Sequence, residues 1–266
     1  MLITGVAGSG KSTVIESVAE ELQLGAVLRW HVTSRSTLDD ALYRYDVLGR
    51  IHAQQLDQAT GTHSVLGGPH ARPAEDIGPF LQLGPLGTAL VPTPRPRALL
   101  VDEIDKGDLD LPSDLLEVLE RGEFEVRELA RYEQEEVAVR EWGSDRRHVL
   151  RRGRVQCTEF PFIVMTSNGE RDFPPPFLRR CIRFSMPAPT SSMITRVVEA
   201  HLSQHVTDGG PMADLVEQFM RRIEGRQQLA VDQLLNAVFL LSGDEAPQGH
   251  QRERLVESLL RELSRA

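Results

Sequence analysis

The alternation of apolar and polar positions predicts a core of strands and helices that is followed by a purely helical region. Short apolar runs predict five strands, at residues 2–4, 26–32, 99–102, 162–165 and 182–184. Apolar residues at helical spacing predict helices at residues 11–22, 38–56 and 111–121. Gly122 follows the last helix at the position where helices commonly end. The run that ends at Asp102 is otherwise wholly apolar, which is typical of a strand buried on both faces of a parallel sheet.

A proline-rich stretch at residues 186–189 predicts a domain boundary, because the pattern of the chain changes there. We assign residues 1–188 to an α/β core and residues 189–266 to a C-terminal helical lid. Four helices are predicted in the lid, at residues 191–205, 212–223, 231–241 and 252–263. Two insertions are predicted in the core: an irregular one at 57–79, and an exposed, charged hairpin at 123–156.

Composition and charge exclude several classes of protein. The 266 residues are 40% hydrophobic and 26% charged, which is an ordinary globular balance and argues against disorder. The net charge of −9 argues against a broad surface that binds nucleic acid or anionic membranes. No run approaches the length of a membrane span, and the first residues lack the pattern of a signal peptide. Two cysteines cannot build a disulfide framework, so we expect a cytoplasmic protein.

The segment GVAGSGKS at residues 5–12 matches the phosphate-binding pattern G-x-x-x-x-G-K-[ST], between a predicted strand and a predicted helix. Glycines let the backbone N–H groups point inward, and the helix N-terminus adds a positive dipole end. Lys11 is expected to hold the β- and γ-phosphates, and Ser12 to bind Mg²⁺. The residues predicted to bind nucleotide here are Gly5, Val6, Ala7, Gly8, Ser9, Gly10, Lys11, Ser12 and Thr13.

Two carboxylates follow the apolar strand at residues 99–102. Asp102 is predicted to hold Mg²⁺, either directly or through water. Glu103 is predicted to orient the attacking water and to accept its proton. The alternative is a solvated acidic turn, which the preceding phosphate-binding pattern disfavours, since a nucleotide-bound Mg²⁺ needs such a carboxylate.

Through these motifs, the sequence resembles an AAA+ ATPase, and within that class the MoxR branch of the helix-2-insert group. The pieces that carry the resemblance occur in the family's order: GVAGSGKS, GPLGTAL, LLVDEIDK, LLEVLERGEFEV and FIVMTSN. The resemblance implies a P-loop NTPase α/β fold: a three-layer αβα core whose parallel sheet has strand order 5-1-4-3-2, followed by a small all-α lid. It also implies ATP and Mg²⁺ as ligands, and a ring oligomer, commonly a hexamer.

The resemblance extends to individual residues outside the phosphate loop. Asn168 matches the family's polar residue that positions the attacking water, with a plain turn as the alternative. Arg180, or its neighbour Arg179, matches the family's arginine finger, which reaches the γ-phosphate of the next subunit; a surface ion pair is the alternative. Arg226 is the candidate for a second nucleotide-contacting arginine in the lid, or a solvated charge at a helix start.

The predicted hairpin carries a basic cluster, composed of Arg146, Arg147, Arg151, Arg152 and Arg154. One interpretation is a contact to an acidic partner or to nucleic acid. The other is a solvated hairpin whose arginines are balanced by nearby glutamates, and the pattern favours this one.

Three functions remain as hypotheses, with the first favoured. The leading hypothesis is a MoxR-like ATPase that hydrolyses ATP at subunit interfaces to remodel or activate a partner protein. A protein with a von Willebrand A domain is one such partner that the resemblance implies. The second is a nucleotide-gated switch or scaffold in a signalling or defence assembly, with little turnover. The third is a nucleic-acid motor of the restriction type, which the acidic net charge disfavours. The chain begins four residues before Gly5, so we expect a truncated start or an adenine held in another way than in the family.

Overall fold

The computed structural model describes residues 1–6, 8–60, 76–187, 189–202, 210–224, 231–241 and 247–260. Ala7, Arg226 and most of the predicted insertion at 57–79 therefore lie outside the described residues. The chain divides into two compact units. The first unit comprises residues 1–2 and 12–183, and the second comprises residues 3–11 and 184–266.

The described strands and helices follow one another along the whole chain. The strands are β1 (Leu2–Thr4), β2 (Leu28–His31), β3 (Tyr43–Tyr45), β4 (Leu81–Leu83), β5 (Ala98–Asp102), β6 (Glu123–Glu125), β7 (Glu136–Arg140), β8 (Arg147–Arg151), β9 (Arg154–Gln156), β10 (Phe162–Ser167) and β11 (Arg183–Ser185). The helices are α1 (Lys11–Glu21), α2 (Leu38–Leu42), α3 (Val47–Thr60), α4 (Pro85–Ala89), α5 (Leu111–Arg121), α6 (Arg127–Ala130), α7 (Pro175–Arg180), α8 (Ser191–Leu202), α9 (Pro211–Glu224), α10 (Val231–Leu241) and α11 (His250–Leu259).

The first sheet has the strand order β11-β1-β10-β5-β2. Counted along the chain as core strands, this is the predicted order 5-1-4-3-2, so the predicted fold class is confirmed. β5 pairs in parallel with β10 on one side and with β2 on the other, with Leu100 opposite Val164 and Val101 opposite Trp30. Because these strands are parallel, their carboxyl ends meet at one edge of the sheet, where Asp102 ends β5.

The core of the first unit explains why its strands are so apolar. Ala98, Leu99, Leu100 and Val101 of β5 are all fully buried, so both faces of the strand are covered. Gly84, directly before α4, and Gly87, within it, serve the same core, because a side chain at either position would collide with backbone atoms of α2. Close contact between α2 and α4 therefore requires glycine at both positions.

The prediction of a single helix at residues 38–56 is wrong. The structure divides that range into α2, β3 and α3. The side chain of Thr37 accepts a hydrogen bond from Asp40 N–H at the start of α2, and Tyr43 ends the helix in an extended conformation. Tyr43 and Tyr45 then pair with β4, so tertiary strand pairing overrides the helical spacing of the apolar residues.

Residues 123–156 do contain a hairpin, in which β7 pairs antiparallel with β8, but the prediction that it is an exposed insertion is wrong. Its strands belong to a second, six-stranded sheet with the order β3-β4-β7-β8-β9-β6. One face of this sheet is buried in the core of the first unit, with Val137, Val139, Leu150 and Val155 pointing inward. The alternating charged residues lie on the opposite face, which explains why the segment resembles a solvated hairpin in sequence.

The second unit confirms a helical C-terminal region. Buried residues from α8, α9, α10 and α11 form one hydrophobic cluster, centred on Val198, Phe219 and Leu234. The domain boundary predicted at residues 188 and 189 stays a prediction. In the described part of the chain, no helix combines the length and the apolar character that crossing a membrane requires.

Candidate functional site

The predicted phosphate loop depends on its glycines for its backbone conformation and its packing. Gly8 and Gly10 adopt positive φ angles of 73° and 80°, a conformation that residues with a side chain rarely adopt. Gly5 faces a different constraint, because a Cβ atom there would lie 2.9 Å from the Cβ of Met186. The glycines are therefore required by this loop conformation itself, with or without a ligand.

Lys11 is buried and turned into its own loop. Its side chain is only 6% exposed, and Nζ donates hydrogen bonds to the carbonyl oxygens of Gly5, at 2.9 Å, and Val6, at 2.8 Å. Lys11 is also the first residue of α1, where the helix dipole favours negative charge. The ammonium group therefore lies at a helix N-terminus, in a loop suited to anions.

Three oxygen-bearing side chains meet at the carboxyl edge of the first sheet. Ser12 Oγ donates to Asp102 Oδ1 at 2.7 Å, and Thr166 Oγ1 donates to the same oxygen at 2.6 Å. Thr166 also accepts a hydrogen bond from the backbone N–H of Glu103, at 2.9 Å. One buried hydroxyl thus fixes both predicted acidic residues, Asp102 through its side chain and Glu103 through its backbone.

The donor set at Asp102 fits a magnesium ion. Mg²⁺ prefers oxygen ligands in octahedral geometry at about 2.1 Å, which places neighbouring ligand atoms about 3 Å apart. The Ser12 and Asp102 oxygens are 2.7 Å apart, so a small shift would let both bind one ion. No group of three or more His, Cys, Asp or Glu residues in the described ranges forms a metal site by itself. The remaining ligands of such an ion would have to be phosphate oxygens and water.

Glu103 is held by contacts on both of its carboxylate oxygens. Asn168 Nδ2 donates to Oε1 at 3.1 Å, and Lys106 Nζ donates to Oε2 at 2.8 Å. The hydrogen bond with Glu103 raises the pKa of Lys106 above its usual value. His31 lies nearby, with Nε2 3.6 Å from Glu103 Oε2. Asn168 and Glu103, predicted separately to act on the attacking water, therefore touch each other.

The backbone of Glu103 is strained. Its φ of 57° and ψ of 48° place a residue with a side chain in the left-handed region. This conformation costs about 1–3 kcal/mol and is found most often at functional sites. The hydrogen bond from Glu103 N–H to Thr166 Oγ1 offsets part of this cost.

Asp105 organises the loop that carries Asn168, and sequence reasoning missed it. Its side chain is 3% exposed, and Oδ2 accepts hydrogen bonds from the backbone N–H groups of Asn168 and Glu170, both at 3.0 Å. Sequence reasoning also missed Thr166 and Lys106. Thr166 could have been found as the hydroxyl within the apolar run of β10, and Lys106 as a cation three residues after Glu103.

The two candidate finger residues lie at the end of α7 and are both exposed. Arg180 forms an ion pair with Glu120 of α5 and donates to the carbonyl of Pro176. Arg179 has no such partner among the described residues. The structure therefore gives Arg180 a local role and leaves the guanidinium of Arg179 facing solvent.

Three arginines of the predicted basic cluster are neutralised within the second sheet. Arg151 pairs with Glu136 at 2.8 Å, Arg152 with Glu135 at 2.5 Å and Arg154 with Glu123 at 2.6 Å. For these three, the structure agrees with the interpretation of a hairpin balanced by glutamates.

A model of the AAA domain family, dynein-related subfamily, matches residues 1–181. The chain belongs to this family. The matched part of the AAA domain includes the phosphate loop, Asp102, Glu103 and Asn168. No curated protein matches this chain.

Solved structures of NtrX from Brucella abortus are similar to this AAA protein. The structure in complex with ATP is 15% identical, with a TM-score of 0.51, over 98% of this chain and 51% of that chain. A second NtrX structure is 14% identical, with a TM-score of 0.51, over 98% of this chain and 50% of that one. The chain thus spans about half the length of the structures it matches, and at this identity the likeness shows the fold alone.

Proposed function

We propose that this protein is a MoxR-like AAA+ ATPase, which binds and hydrolyses ATP with Mg²⁺ at subunit interfaces to remodel or activate a partner protein. The observation that carries the proposal is the group of side chains around Asp102 and Glu103. Thr166, Ser12 and Asn168 bring a metal-binding carboxylate and a water-orienting carboxylate side by side at the edge of the sheet.

Each residue has a defined part in the proposed reaction. Backbone N–H groups of the loop and the ammonium of Lys11 bind the phosphates, which requires Lys11 to exchange its carbonyl partners for phosphate oxygens. Ser12 and Asp102 hold Mg²⁺, which supplies charge neutralisation between the phosphates when bound. Glu103 orients water and accepts its proton, and Asn168 fixes the Glu103 carboxylate.

The ring and its client extend this proposal beyond one subunit. Arg179 or Arg180 supplies the finger to the neighbouring subunit's γ-phosphate, and the exposed guanidinium of Arg179 makes it the better placed of the two. Arg226 is proposed to contact the nucleotide from the lid. The proposed client is a cytoplasmic protein, such as one with a von Willebrand A domain. The proposed assembly is a ring, which is commonly a hexamer in the family that the sequence resembles.

The contacts of Glu103 favour a second candidate function, a nucleotide-gated switch with little turnover. A carboxylate bonded to both Lys106 and Asn168 has fewer lone pairs left for water. Hydrolysis then waits until something draws Lys106 away from Glu103. The two candidates share the nucleotide residues and differ only in the rate at which the unaided protein turns over.

Nucleotide binding and phosphate release, measured separately on three variants, test the proposal. Lys11→Ala should lose ATP affinity. Glu103→Gln should keep that affinity but lower turnover by about 100-fold or more, because it can no longer accept the proton. Glu117→Gln, at an exposed position on α5, is the matched control and should behave as the wild type.

The outcomes separate the candidates. Unchanged ATP affinity in Lys11→Ala would overturn nucleotide binding at this loop. Wild-type turnover in Glu103→Gln would show that another residue orients the water. Tight binding, with wild-type turnover already as slow as that of Glu103→Gln, would support the switch over the motor.

A further inference from the structure

Three arginines lie in one row across the exposed face of the second sheet. The strand register places Arg44 of β3 opposite Gln82 of β4, and Gln82 opposite Arg140 of β7. Arg140 in turn lies opposite Arg147 of β8. Directly paired residues point to the same face, and all three arginines are exposed. We call Arg44, Arg140 and Arg147 the basic row; at about 4.8 Å per strand it spans about 14 Å.

The basic row is not neutralised by its surroundings. Arg140 and Arg147 are directly opposite each other, and like charges in that arrangement destabilise a sheet. Among the residues that the structure describes, no carboxylate lies within ion-pair distance of either one. Arg44 has one exposed partner, Asp40, at 3.7 Å. The row thus differs from Arg151, Arg152 and Arg154, in β8, the following turn and β9, which pair with glutamates at 2.5–2.8 Å.

Buried and polar contacts hold the backbone next to the basic row. Glu141, directly after Arg140, is buried and accepts two hydrogen bonds from Arg97, at 2.9 and 3.1 Å. The next residue, Trp142, donates its backbone N–H to Thr88 Oγ1 at 2.9 Å. The guanidinium of Arg44 lies 5.6 Å from the centre of the Trp142 ring, within cation–π distance. These contacts hold the backbone beside Arg140 and the guanidinium of Arg44 before any ligand arrives, which lowers the entropy lost on binding.

We propose that the basic row binds an extended acidic segment of a partner protein. An extended chain places every second side chain on one face, about 6.8 Å apart, so three alternating carboxylates span about 14 Å, which is the length of the row. Asp40 lies beside Arg44, and the whole chain carries a net charge of −9. A nucleic-acid strand carries charge on every nucleotide and would extend past the row onto a chain of the same overall sign, so a short acidic peptide fits better.

Fluorescence anisotropy with a labelled Glu-Gly-Glu-Gly-Glu peptide, in the absence of nucleotide, tests the proposal independently of ATP hydrolysis. The wild type should bind this peptide and not the matching Lys-Gly peptide. Arg140→Gln/Arg147→Gln should weaken binding about tenfold, because two charge-assisted contacts are lost. Arg151→Gln/Arg154→Gln removes the same charge from ion-paired positions in β8 and β9 of the same sheet, and should leave the affinity unchanged.

Several results would overturn the acidic-peptide site. The first is the absence of peptide binding by the wild type, and the second is an equal loss of affinity in both double variants. The third is tighter binding of a labelled 15-nucleotide oligothymidine than of the peptide, which would indicate a nucleic-acid site. Thermal unfolding shows whether Arg140→Gln/Arg147→Gln folds, and the removed repulsion should keep its midpoint at or above that of the wild type. If this variant fails to fold, Arg44→Gln must weaken peptide binding by itself, or the proposal is wrong.

Discussion

The central strand of the first sheet and the strands of the second sheet differ in how their two faces are exposed to water. In β5, at the centre of the first sheet, Leu99 and Leu100 are both fully buried although they point to opposite faces. In β7 and β8 of the second sheet, buried Val139 and Leu150 alternate with exposed charged residues. The central strand β5 can therefore carry polar chemistry only where it ends, whereas the second sheet can carry it along a whole face.

The difference explains where the two candidate sites lie. Asp102 ends β5 and Asn168 follows β10, so the proposed catalytic groups collect at the edge of the first sheet. The basic row crosses the exposed face of the second sheet, with Arg140 at the last position of β7 and Arg147 at the first position of β8. The candidate groups of the first sheet therefore follow its buried strands, whereas those of the second sheet lie on an exposed face.

The largest effect should come from truncating a buried side chain of the first sheet. Leu100→Ala leaves a cavity between tightly packed layers and should lower the free energy of unfolding by about 2–5 kcal/mol. Val149→Ala, in β8, removes a side chain that is 55% exposed and should change it by less than about 0.5 kcal/mol. Urea unfolding monitored by circular dichroism measures both. Similar losses in the two variants would contradict the distinction between the sheets.

A smaller effect is expected from Thr166→Val, which keeps the shape of the side chain and removes its hydroxyl. Glu103 N–H then lacks its partner in a buried setting, which should cost about 1–3 kcal/mol of stability. Turnover should fall as well, because Asp102 and Glu103 lose their common anchor.

Thr158→Val is the control for this change. Its hydroxyl also makes two backbone hydrogen bonds, both to Thr93, but at an exposed position where water replaces them. Its stability should stay within about 0.5 kcal/mol of the wild type. If Thr166→Val were equally neutral in stability and turnover, the anchoring role of Thr166 would be refuted.

The smallest expected effect is the pH dependence that His148 gives to the second sheet. Burial lowers the pKa of His148, with Glu141 opposing the shift and Arg97 adding to it. The unfolded chain, with an ordinary histidine pKa of about 6.5, takes up a proton before the folded one does. The stability from this group is therefore complete above about pH 6.5 and is lost as the pH falls through the lowered pKa.

His148→Gln should accordingly flatten the decline of unfolding free energy between pH 7 and pH 5, measured by urea unfolding at each pH. His52→Gln, at an exposed position of α3, should leave that decline unchanged. The interpretation would fail if both variants gave the same slope.

The sequence predicted the first sheet better than the second for a physical reason. A strand buried on both faces, such as β5, is a continuous apolar run that stands out by itself. Residues 43–45 form a strand only because β4 lies beside them, and their own spacing indicates a helix. The second sheet was missed because its alternating charges are equally consistent with a solvated hairpin until the inward face is seen to be covered.

The sequence by itself determined the phosphate loop and the acids that end β5, because the interactions that define them join residues a few positions apart or follow directly from an apolar run. Only the tertiary structure decided that Thr166 joins Asp102 to Glu103, that Lys106 and Asn168 share the Glu103 carboxylate, and that the basic row exists. Most of these contacts join strands or loops distant along the chain, and their register depends on how whole sheets pack rather than on any local pattern.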